Sequence, residues 1–274
     1  MVDPVVTPLV VAGAGTASAL ALRVLGPSAD EMGDDLKAWR SRRRSNAANI
    51  LQVADQVAFG DMEPDPSDLD GHRANLRVAS QALGEGSWTD DETARAYLGG
   101  LLAGSRSRDG NDDANLPWVK LINSLSTDAI LLHYIVYRCI AEDFPADKLD
   151  LAEEYHAEHN FRSHRVEIPT ATWQQLVDDQ NSDRLEASIS ELRRTSLLHD
   201  TFGVTEQGDD LWVTPTNAGA RLFTRSHGSK SSVIAGFDIT ANPVLADLLE
   251  ERRDGLTVDP VRFKLRAGAE PFRK

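Results

Sequence analysis

The sequence predicts a mainly α protein, a helical bundle followed by a small winged-helix-like α+β module. Three observations predict it. Apolar residues recur at helical spacing from residue 25 to residue 140, which marks amphipathic helices. Polar breaks bearing Gly or Pro separate these stretches. Strand-like alternation around a Gly208-Asp-Asp turn signal is flanked by two helical stretches. The expected segments are an apolar N-terminal helix over residues 1–24, a helical domain over 25–165, the winged-helix-like module over 166–228 and an extension over 229–274.

Residues 4–22 carry no charge, and their length approaches the ~20 residues that cross a bilayer. Their Gly, Ala, Ser and Thr content weakens the membrane reading, and Met1-Val-Asp lacks the positive start of a secretory signal. Gly13, Ala17 and Ala21 stand four apart, a small-residue ridge for close helix packing in lipid or in protein. A helix buried on its own bundle is favoured over membrane contact. If the segment inserted, Arg23, Lys37 and the arginines from Arg40 to Arg44 would make the following side cytoplasmic.

Gly26-Pro27 signals a helix start, with Asp30 and Glu31 suited to the positive end of the dipole. Leu25, Ala29, Met32, Leu36 and Trp39 form its stripe, and Arg40, Arg42, Arg43 and Arg44 make its far end basic. A solvated helix end explains this cluster, as does contact with anionic lipid or an acidic partner. Ile50, Val53, Ala54 and Val57 carry the helix on to Phe59. A further helix spans 69–83, with Leu76, Ala79 and Leu83 on one face and Gly84-Glu-Gly at its end. Thr89 with Glu92 reads as a capping box before the face of Ala94, Leu98, Leu101 and Leu102. Residues 105–115 read as a charged, mobile loop. Two helices then meet at Ser126-Thr-Asp, and a polar helix spans 148–159. In the last module a helix over 183–198 buries Leu185, Ile189, Leu192 and Leu197, and a helix over 216–225 follows the hairpin.

Residues 24–44 resemble the opening of the abortive-infection alpha family, bacterial proteins linked to phage defence and otherwise classed as a domain of unknown function. The resemblance runs over roughly residues 20–228. Residues 88–103 are similar to the family's acidic helix start that ends in a Leu-Leu pair, and 116–132 to its capped double helix. Residues 191–198 and 213–223 look like its leucine turn followed by a Thr-x-x-Gly helix. The resemblance implies phage resistance of the abortive-infection type, and it names no reaction.

A net charge of −14 and a pI near 4.9 argue against general polyanion binding. The single cysteine, Cys139, cannot form an internal disulfide, sits in an apolar run and suits a reducing cytoplasm. No phosphate loop, nucleophile elbow or dinucleotide fingerprint occurs, so neither catalysis nor a cofactor is expected. His156 and His159 lack zincin spacing, and Asp109-Gly-Asn-Asp-Asp lacks the closing Glu of a calcium loop. The expected role is a non-catalytic, cytoplasmic phage-defence protein acting through a protein partner, self-association or the membrane surface. The alternative is a DNA-binding transcriptional regulator that uses the C-terminal module, with Arg193 and Arg194 as its contacts. Asp200, Glu206, Asp209 and Asp210 would repel phosphates from the wing, so DNA is disfavoured.

Overall fold

The computed structural model describes residues 29–60, 72–143, 164–177, 183–204, 210–229, 242–245, 247 and 264–267. The chain divides into two compact units, Met1–Ser45 and Asn46–Lys274. It is mainly helical, with small antiparallel sheets. Helix α1 (Ala29–Phe59) contributes residues to both units. Among the described residues no helix is long and apolar enough to cross a membrane. Residues 4–22, with the ridge of Gly13, Ala17 and Ala21, and the helix expected over 148–159 lie outside the described residues.

The second unit is built around α3 (Glu92–Gly104), whose small and apolar side chains bury it on every face. Flanking it in the chain are α2 (Leu76–Gly86) and α4 (Leu116–Ile122), and α5 (Thr127–Asp143) and α8 (Asn217–Ser226) pack against it. Asn75 caps α2 by accepting from the amides of Arg77 and Val78, which moves the helix start from the expected residue 69 to Leu76. Arg73–Ala74 instead form β1, paired with β2 (Arg106–Ser107). Leu76 is consequently 83% exposed, and Val78 and Ala82 provide the buried face. The cap of α3 is Asp91, which accepts from the amide of Ala94, not Thr89; the Thr89 hydroxyl lies two residues too early and accepts from the amide of Asp91.

The expected loop over 105–115 begins with β2 and closes on itself. The Asp109 carboxylate accepts from Ser107 and Asn111, and hydrogen bonding to Asn111 above all holds it below the usual carboxylate range. At the expected junction the Ser126 hydroxyl accepts from the amide of Ala129, and Asp128 binds Arg184 through both carboxylate oxygens at 2.6 and 2.7 Å. Cys139 is buried on α5.

Downstream come β3 (His164–Pro169), α6 (Thr170–Leu176), α7 (Asp183–Arg194), β4 (Leu198–Val204), β5 (Asp210–Pro215) and, after α8, β6 (Lys264–Ala267). The antiparallel sheet has the order β4-β5-β3-β6. The helix expected to run to residue 198 stops at Arg194, because Ser196 adopts φ 60°. The amide of Leu197 bonds the carbonyl of Leu192, and that of Ser196 the carbonyl of Arg193, a left-handed helix stop. Leu197 and Leu198 stay buried as the strand begins. One core runs from Ile50 through the sheet residues Val166, Ile168 and Val213 to Leu245, across the 165/166 boundary read from the sequence.

Candidate functional site

On α3 every residue from Thr93 to Gly104 is buried except Arg95. A guanidinium on the most buried helix costs desolvation unless something compensates it. The Arg95 side chain is only 12% exposed. Its Nη1 donates to Asn46 Oδ1 at 2.8 Å, and Asn46 Nδ2 donates in turn to Asp90 Oδ1 at 2.9 Å and to the Ser87 carbonyl at 3.2 Å. The nearest carboxylate oxygen, on Glu92, stands 3.8 Å from Nη2, beyond hydrogen-bond reach. A neutral amide therefore fixes the cation, and its acid partner is not bonded to it.

Arg95 and Glu92 form one wall of a cleft of about 370 Å³. Its second wall is the face of α1 carrying Asn49, Gln52, Val53 and Gln56. With Asn46 these amides stand three, three and four residues apart, so they share a helix face. Gly99 lets the wall close in, because a Cβ there would lie 2.6 Å from Val53 Cβ. Val244 and Asp247 also line the cleft. Asn242 fixes their segment by donating to the carbonyls of Ser226 at 2.9 Å and Ala96 at 3.2 Å, and the Tyr134 hydroxyl donates to the Leu245 carbonyl.

Of the residues singled out in the sequence, Arg40, Arg42 and Arg44 are exposed on α1. Arg43 is half-buried, its guanidinium 5.2 Å from the centre of the Trp39 ring. The structure does not bring Arg193 and Arg194 to one site. Arg193 lies 4.4 Å over the Phe202 ring and 3.9 Å from Asp200, while Arg194 is exposed. His156 and His159 lie outside the described residues. Among the described residues no group of three His, Cys, Asp or Glu is placed to hold a metal ion. Arg95 and the amide stripe went unmarked in the sequence. The signal was present in the one basic residue of 92–104 and in the amide spacing from residue 46 to residue 56.

A second polar cluster is sealed inside the core. His133 is fully buried, with Nδ1 2.7 Å from the Tyr97 hydroxyl and Nε2 3.1 Å from the Gly219 carbonyl. The Tyr137 hydroxyl donates to the Leu197 carbonyl at 2.6 Å and accepts from the amide of Thr216 at 2.8 Å. This joins α3, α5 and the start of α8 through side chains with no exposure. No protein-family model, curated protein or solved structure matches the chain.

Proposed function

We propose that the protein is a non-catalytic phage-defence factor of the abortive-infection type, acting through contacts of its surface with a protein partner or an anionic membrane. The single observation that carries the contact reading is the arginine cluster on α1; the defence role rests on the resemblance over residues 20–228. Arg40, Arg42 and Arg44 are exposed in a chain of net charge −14. Like charges held together repel, and an anionic surface relieves that repulsion. If the surface is lipid, each charge contributes on the order of 1 kcal/mol, so replacing Arg42, Arg43 and Arg44 by Gln is expected to weaken vesicle binding by roughly two decades. Two measurements check this: co-sedimentation of both proteins with phosphatidylserine vesicles, and host survival in a phage challenge. Equal pelleting removes the lipid route. Unchanged protection by the triple variant removes the cluster from the function, and a wild-type gene that gives no protection removes the defence reading.

The C-terminal module fits a winged-helix-like reading. Helix α5 packs on α7, and the order β3, α6, α7, β4, β5 with strand pairing β4-β5-β3 supports it. The exposed face of α7 carries Asp183, Glu186, Ala187, Ser190 and Arg194, acidic on balance, and Arg193 is committed to Phe202 and Asp200. Phosphate contact needs clustered cations, so a protein-contact use of the module is favoured over a DNA regulator. The expected result is no sequence-specific duplex binding at physiological salt and no loss of defence in Arg193→Ala/Arg194→Ala. Tight, salt-dependent binding to a defined duplex, lost in that double variant, establishes the regulator instead.

A further inference from the structure

We propose that the cleft lined by α1, α3, Val244 and Asp247 binds a small zwitterion with one carboxylate and one ammonium group, a free α-amino acid or a short peptide with free ends. This inference stands apart from the arginine cluster and from the C-terminal module. The carboxylate site is Arg95. Asn46 holds its guanidinium at 2.8 Å through a neutral oxygen, so the cation is positioned without being neutralised by a bonded acid. The Glu92 carboxylate, 3.8 Å away and exposed, leaves room for a ligand carboxylate to take the guanidinium donors. Glu92 and Asp247 then supply the countercharge for an ammonium group.

The charge balance selects among ligands. Among the described residues, one arginine stands against two carboxylates in the lining, a balance that opposes a phosphate dianion and accepts a molecule whose own charges cancel. Asn49, Gln52 and Gln56 each offer both a donor and an acceptor, as a peptide amide or polar side chain requires. Val53 and Val244 provide an apolar patch for aliphatic carbon. A volume of about 370 Å³ lies at the small end of ligand sites, of a size for one to three residues.

Calorimetric titration of the full chain tests this with glycine, leucine, glutamine, dialanine and trialanine. The comparison compounds are acetate, methylamine, inorganic phosphate and trialanine capped at both ends. At least one zwitterion is expected to bind saturably and at least about tenfold more tightly than any comparison compound. Arg95→Gln is expected to weaken that binding by about tenfold or more through loss of a charge-assisted pair. Because Arg95 is nearly buried, Gln52→Ala/Gln56→Ala on the cleft wall is the second variant, expected to bind several-fold more weakly with an unchanged Tm. Preference for glycine, leucine or glutamine over the free peptides identifies a free amino acid as the source, and the reverse preference a peptide. The proposal is overturned if no zwitterion binds, if phosphate or capped trialanine binds as tightly, or if both variants bind like the wild type.

Discussion

Gly100→Ala is expected to destabilise the protein by about 3 kcal/mol or more, at the upper end of what overpacking costs. Gly100 lies on α3 where it crosses the last turn of α8. A Cβ there would stand 1.6 Å from the Ser226 carbonyl oxygen, 2.4 Å from its carbon and 3.1 Å from its Cα. All three atoms are backbone, so no rotamer change relieves the clash and the helices must separate. That separation also pulls on Asn242, which bonds the carbonyls of Ser226 and Ala96 and fixes one side of the cleft. Gly84→Ala on α2 is the control, since a Cβ there meets nothing within 4 Å. It is expected to add about 0.5–1 kcal/mol through helix propensity. Urea midpoints of the two variants check both signs, and a wild-type midpoint for Gly100→Ala contradicts the helix crossing.

The helices were legible where one face alternates with another. Thr127–Asp143 starts at the expected Ser126-Thr-Asp junction, though it runs three residues past Ile140, and Asn217–Ser226 lies one residue beyond its expected 216–225, because the caps, Ser126 and Thr216, are local chemistry. Leu76 misled because periodicity extended the helix backwards past Asn75, whose side chain competes for the same amides. The strand His164–Pro169 alternates through Arg165, Val166, Glu167 and Ile168, yet it is short and follows a polar stretch that reads as helix. Its partner Lys264–Ala267 lies about a hundred residues away, and pairing at that distance leaves no local trace.

The site was less legible, for a physical reason. Arg40 to Arg44 stand out because four like charges crowd five positions, while Arg95 is one arginine among 29 basic residues. Its significance comes from burial of its neighbours on all sides, a property of the tertiary packing. The amide stripe has helical spacing, but so does any solvated helix face. Among the described residues, the segment that Asn242 anchors turns that face into the wall of a cleft.

Acidification is expected to destabilise the protein through His133, well before its carboxylates protonate. The imidazole sits in the middle of α5 with no exposure. The Gly219 carbonyl 3.1 Å from Nε2 only accepts, so Nε2 carries the hydrogen and Nδ1 accepts from the Tyr97 hydroxyl at 2.7 Å. Both ring nitrogens are satisfied in the neutral form, and a second proton would place an unscreened charge in the core. Desolvation lowers the pKa from its ordinary 6.5 to about 3. Because the folded value lies below the unfolded one, the unfolded chain binds the extra proton between them. The stabilisation is complete above pH ~6.5 and is lost progressively as pH falls toward 3, reaching on the order of 5 kcal/mol there. Between pH 6.5 and 5, where most carboxylates remain ionised, His133 alone accounts for about 2 kcal/mol. His133→Gln keeps one donor and one acceptor but does not titrate. It is expected to be about 1–2 kcal/mol less stable than the wild type at pH 7.5, because the amide fills the ring's place imperfectly, and to show a flatter stability curve from pH 6.5 to 5. Urea unfolding of both proteins at pH 7.5, 6.5, 5.75 and 5 measures the difference in slope. Parallel curves would show that His133 is not the buried group whose charging destabilises the fold.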